Sequence, residues 1–124
     1  MLRDGPIPRF IHGVVEYVAG VLFIAAPFLF AFEDGYAVGV SIAVGVLILV
    51  MAAATVGPSG LIHSIPVTVH AGVDYALAAF LIAGPFIFRF NDEAAPTAFF
   101  IILGVVHLLM TIGTRFKEAP TTAP

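Results

Sequence analysis

Four apolar runs dominate this chain, at residues 11–32, 36–56, 67–88 and 96–113. An α-helix rises about 1.5 Å per residue, so each run approaches the roughly 20 residues needed to cross a hydrocarbon layer about 30 Å thick. With 60% of the 124 residues hydrophobic and 10% charged, a water-soluble domain would have no interior large enough to hide them. The chain is therefore read as an all-α polytopic membrane protein with four transmembrane helices. Arg3 and Arg9 before the first run would suit a cleaved leader, but that run is too long and contains Pro27. It is read as a retained membrane helix.

The first and third runs are copies of each other. Residues 12–34 laid over 70–92 match at His12/His70, Val15/Val73, Tyr17/Tyr75, Ile24/Ile82, Ala25/Ala83, Pro27/Pro85, Phe28/Phe86, Phe30/Phe88, Phe32/Phe90 and Asp34/Asp92. Glu16/Asp74, Ala26/Gly84 and Leu29/Ile87 are close substitutions. An internal duplication follows, with repeats at about residues 11–56 and 67–113 inside one transmembrane domain, residues 1–113. Residues 57–66 form a Gly/Pro/Ser-rich linker and residues 114–124 a disordered tail. Each copy crosses the membrane twice, so the two hairpins are parallel copies about an axis along the membrane normal rather than inverted ones.

Within each copy, proline in the outer third of the first helix frees the carbonyl four residues earlier, and some neighbour must satisfy that carbonyl in lipid. Phe28, Phe30 and Phe32, with Phe86, Phe88 and Phe90, read as an aromatic belt at the bilayer edge. The acidic turns Glu33-Asp34-Gly35 and Asn91-Asp92-Glu93 are short enough to impose antiparallel helix pairs. Gly39, Ala43, Ser41 and Gly45 in the second helix, and Ala79 and Ala83 in the third, have the small-residue spacing of close helix contacts. Arg3, Arg9, Arg115 and Lys117 fall on one side of the membrane and Arg89 on the other, which puts both termini and the linker in the cytoplasm and the protein in an inner (plasma) membrane.

Several functions are excluded. The net charge of −3 and the lack of a basic stripe argue against nucleic acid as a partner. With no cysteine, there is no disulfide framework, thiolate metal site or thiol redox chemistry. Ser41, Ser59 and Ser64 lack nucleophile motifs, and no phosphate-binding glycine loop or His-Glu-x-x-His occurs. The chain is not expected to be an enzyme.

Three ionisable groups are placed where they are costly. Glu16 and Asp74 lie about 10 Å into the first and third helices, and His107 about 12 Å into the fourth from the same side. A bare charge at membrane depth costs roughly 2.5–3.5 kcal/mol on insertion scales, so these groups should face one another inside the bundle. His12 and His70 precede the carboxylates by four residues, one helical turn, completing a cluster of His12, Glu16, His70, Asp74 and His107. Four roles fit such a cluster: polar glue between the copies, with Tyr17 and Tyr75 as further partners; a proton or ion pathway; a metal site; or a bis-histidine haem using His12, His70 or His107. Glue is the favoured reading, with no metal or cofactor expected. At constant spacing the counterpart of His107 is Leu49, so one hairpin alone carries a histidine there. His63 reads as a solvated loop residue.

The triplets Ala26-Pro27-Phe28 and Gly84-Pro85-Phe86 carry a family resemblance. With Gly20 seven residues before Pro27, and Ala78 seven before Pro85, the chain resembles the SPW-repeat proteins, small bacterial membrane proteins with two copies of a two-helix unit, the first helix of each closing on Ser-Pro-Trp. Here a small residue stands for the serine and phenylalanine for the tryptophan. The family's upstream polar residue corresponds to Glu16 and Asp74. The resemblance covers residues 11 to about 113 and implies a four-helix integral membrane protein, with no catalytic residues to carry over. A structural or accessory membrane module is the expected function, partnered by the lipid bilayer and by further copies of itself or other membrane proteins. A small transporter, channel or proton-linked subunit is the alternative, and a haem- or metal-binding membrane protein the second.

Overall fold

The computed structural model describes residues 6–55 and 60–114. It contains four helices, α1 (Arg9–Leu29), α2 (Gly35–Ala54), α3 (Val67–Ile87) and α4 (Ala94–Gly113), each long and apolar enough to cross a membrane. They pair as two hairpins, α1 with α2 and α3 with α4, and α1 also meets α4 across the repeats. Among the described residues there is no β-strand beyond two isolated bridges.

Those bridges reveal the symmetry. Ile7, just before α1, pairs with Thr114 after α4, and Ile65, just before α3, pairs with Thr55 after α2. Ile7 N–H donates to Gly113 O at 2.9 Å and Ile65 N–H to Ala54 O at 2.8 Å. Each bridge thus ties the lead-in of one hairpin's first helix to the end of the other hairpin's second helix. Pro8 and Pro66 occupy the N-caps of α1 and α3, where extended backbone gives way to helix.

The proline helices end sooner than the apolar pattern suggests. α1 and α3 stop two residues after Pro27 and Pro85, rather than running on to Phe32 and Phe88. Ala31 and Arg89 adopt left-handed backbone at φ 52° and 59°, and the N–H groups of Phe32 and Phe90 donate back to Pro27 O and Pro85 O. This six-to-one bond is a Schellman cap. It folds the last phenylalanine of each motif inward. Phe28 and Phe86 do face outward as a belt would, but Phe32 and Phe90 are buried, Phe90 packing edge-on against Phe100 at 5.1 Å. With Phe23, Leu81, Phe99 and Phe100 they fill the core of the outer half.

Pro27 leaves Phe23 O without its helical donor, and the Ser41 hydroxyl of α2 donates to it at 2.7 Å. Phe100 occupies the matching place in the second copy. Close approach of α1 and α2 centres on Gly45, where an added Cβ would lie 2.6 Å from Gly20 O, whereas Gly39 has nothing within 4 Å. Gly104 of α4 plays the equivalent part against Ile82 of α3.

The acidic turns differ in length. Residues 30–34 join α1 to α2, whereas residues 88–93 join α3 to α4, one residue more. Asp34 caps its own helix through Tyr36 N–H and Ala37 N–H at 2.9 and 3.1 Å, but Glu93 reaches across to accept from Glu33 N–H and Asp34 N–H at 2.8 and 2.9 Å. That carboxylate ties the turns together. In the linker, His63 is exposed, with Nε2 3.2 Å from Gly60 O. Thr114, assigned to the tail from sequence, is fully buried, while residues 115–124 and the first linker residues 57–59 lie outside the described residues.

Candidate functional site

The same register places His12 and Glu16 on one face of α1 and His70 and Asp74 on one face of α3, all buried, at a common depth near the bridged ends of the bundle. His107 of α4 joins them. All five residues of the expected cluster come together. The closest pairings run crosswise: His70 Nε2 is 2.8 Å from Glu16 Oε1, and His12 Nε2 is 2.9 Å from Asp74 Oδ2. The pairs within one helix are longer, His12 to Glu16 at 3.3 Å and His70 to Asp74 at 3.2 Å.

The other ring nitrogens are held the same way. His12 Nδ1 lies 2.6 Å from Thr114 Oγ1, and His70 Nδ1 lies 2.6 Å from Thr55 Oγ1. Each threonine hydroxyl spends its own hydrogen on a backbone carbonyl one turn earlier, Met110 O and Met51 O. A hydroxyl so engaged can offer the imidazole only a lone pair, so Nδ1 of each ring carries the hydrogen and Nε2 faces the carboxylates. Both threonines belong to the opposite repeat. Each histidine is therefore held at both nitrogens by the copy it does not belong to. The threonines were not singled out from sequence, although both stand at helix ends and would be equivalent under the correct register.

Glu16 Oε1 shows a further feature. Two imidazole nitrogens lie within 3.3 Å of it, yet no N–H points along a hydrogen-bonding direction to it, because His70 directs its bond to Oε2 at 3.1 Å. The short distance records electrostatic proximity, while the angle decides that Oε1 keeps open lone pairs. His107 Nε2 is likewise buried without a hydrogen bond, 3.4 Å from Asp74 Oδ1. A void of about 40 Å³ lies among Glu16, His107 and apolar side chains such as Phe23 and Leu81.

The asymmetry at His107 is real, but its counterpart is not Leu49. The longer second turn shifts α4 by one residue against α2, so Thr55 matches Thr114, Gly45 matches Gly104, and Ile48 matches His107. Ile48 is a buried core residue. A haem between the imidazoles is not compatible with this geometry: the carboxylates of Glu16 and Asp74 fill the space between His12 and His70, whose ring centroids are 5.9 Å apart. Tyr17 and Tyr75 are half-buried on the same helices.

Compared with known proteins, the chain matches the SPW repeat domain over residues 10–114, which includes all four helices except the first residue of α1. No curated protein and no solved structure matches it.

Proposed function

The chain belongs to the SPW repeat family, and from that premise we propose a non-catalytic structural or accessory role for it as a multi-pass protein of the inner (plasma) membrane. One observation carries this reading: His12 and His70 are each held, at both nitrogens, by groups from the opposite repeat. The polar groups at membrane depth act as a lock that joins two hairpins into one unit. Arg3, Arg9, Arg115 and Lys117 near the sequence ends, against Arg89 alone at the opposite turns, support cytoplasmic termini through the positive-inside rule.

The interior beyond the lock supports this role over a channel or proton-linked subunit. Phe23, Leu81, Phe90, Phe99 and Phe100 occlude that half of the bundle, and Ser41 is its one buried polar side chain among the described residues. An ion or proton moving on from Glu16 would meet no further relay group there. Among the described residues no serine is poised as a nucleophile either, since Ser41 is committed to Phe23 O and Ser64 is exposed.

The test combines flux with stability. Glu16→Gln and Asp74→Asn are reconstituted in liposomes beside the wild type. A structural lock gives no ion or proton flux in any of the three proteins and lowers thermal stability in both variants. Flux in the wild type that both substitutions abolish would overturn the reading. Proteins recovered with the tagged wild type, including further copies of itself, identify what the module serves.

A further inference from the structure

We propose that His12, Glu16, His70 and Asp74 form a binding site for one divalent first-row transition-metal ion, of which zinc is the type. This goes beyond the structural role, because the crosswise pairs join the repeats whether or not a metal is bound.

The geometry is that of a donor set. Taken in order, His12 Nε2, Glu16 Oε1, His70 Nε2 and Asp74 Oδ2 form a ring of alternating nitrogen and oxygen, with sides of 3.3, 2.8, 3.2 and 2.9 Å. One donor atom from each residue lies within 4.8 Å of every other. Zinc binds imidazole nitrogen and carboxylate oxygen at about 2.0–2.2 Å, which places neighbouring ligands of a tetrahedron roughly 3.4 Å apart. The four sides need to lengthen by only tenths of an ångström, and the ring must fold so that its two diagonals reach the same length. A void of about 40 Å³ borders Glu16 and His107.

Three further features point to a ligand. Glu16 is 2% exposed, and its Oε1 has no hydrogen bond although it faces both imidazoles. The Thr55 and Thr114 hydroxyls fix each imidazole with hydrogen on Nδ1, which is how metal-binding histidines are oriented, their other nitrogen donating to a second group. Charge also balances, since two neutral imidazoles and two carboxylates around a divalent cation sum to zero within the membrane-spanning part of the bundle. Two nitrogen donors disfavour magnesium and calcium, which take oxygen ligands. His107 Nε2, 3.4 Å from Asp74 Oδ1, is placed to orient that carboxylate.

The test uses the full-length protein in detergent, stripped with a chelator and titrated with Co²⁺ as a visible probe, then with Zn²⁺. The expected result is one Co²⁺ per chain with the visible bands of a nitrogen–oxygen site, bleached by one equivalent of Zn²⁺. His63→Ala leaves binding unchanged. Thr55→Val and Thr114→Val, which keep all four ligands, weaken it about 10–100-fold, and Thr55→Ser restores it. A wild-type protein that is helical by circular dichroism yet binds no Co²⁺ overturns the proposal. So does binding that His63→Ala removes, or that persists undiminished in folded His70→Gln. None of these three results would disturb the liposome and stability outcomes of the structural role.

Discussion

Gly45→Ala tests the packing that holds the first hairpin together. Alanine at an interior helix position gains about 0.8–1.0 kcal/mol over glycine in intrinsic propensity. Against this, the new methyl would sit 2.6 Å from Gly20 O, 2.7 Å from Ile24 Cγ1 and 2.9 Å from Ile24 N. Two of those three neighbours are backbone atoms, so α1 and α2 must separate, and overpacking of this sort costs about 1–3 kcal/mol. At the middle of both ranges the clash wins, leaving a net loss of about 1 kcal/mol. Gly39→Ala is the internal control: it lies on the same helix with nothing within 4 Å, so it keeps the propensity gain and should be neutral or slightly stabilising. Thermal unfolding of detergent-purified protein, followed by circular dichroism, reads both. Equal stability of Gly45→Ala and wild type, or an equal loss in Gly39→Ala, would refute the argument from close approach.

Other consequences can be measured in the same way. Ser41→Ala removes the hydroxyl that donates to Phe23 O and should cost about 0.6–1.5 kcal/mol, whereas a stability indistinguishable from wild type would mean that another group satisfies this carbonyl. Ala31→Gly and Arg89→Gly relieve left-handed backbone at the Schellman caps and should each stabilise by about 1 kcal/mol; destabilisation by either would contradict the cap geometry. Glu93→Ala frees the two N–H groups of the opposite turn and should accelerate amide hydrogen exchange at Glu33 and Asp34, while unchanged exchange would show that the cross-turn bonds do not hold. A double-mutant cycle between Glu16 and His70 should show stronger coupling than one between Asp74 and His107, following 2.8 Å against 3.4 Å; the reverse order would count against the crosswise arrangement.

Much of this architecture is written locally in the chain. Apolar run length specifies four spans because lipid demands it, and the four-residue spacing of His12/Glu16 and His70/Asp74 is a direct statement about one helix face. The polar cluster was legible for the same reason, since charges at equal depth have no inexpensive alternative to meeting. What escaped depends on contacts between elements. One additional residue in the second turn moves the partner of His107 from Leu49 to Ile48, and turn length cannot be read while the helix ends are uncertain by a residue or two. Phe32 and Phe90 repeat the look of their outward-facing neighbours but are turned inward by the left-handed residue before them. Thr55 and Thr114 carry no motif at all. Their role arises because each helix end is bridged to the lead-in of a helix from the other hairpin. Glu93 likewise resembles an ordinary helix-capping acid and instead spans two turns.

The claim on which all this rests is that each histidine is held by the opposite repeat. Nitrogen–carbon distance measurements by solid-state NMR, on protein in lipid bilayers with labelled histidine, aspartate and glutamate, address it without any substitution. The strongest contacts should join His70 Nε2 to the Glu16 carboxyl and His12 Nε2 to the Asp74 carboxyl, matching the 2.8 and 2.9 Å pairs. Contacts confined to His12 with Glu16 and His70 with Asp74, within single helices, would contradict it.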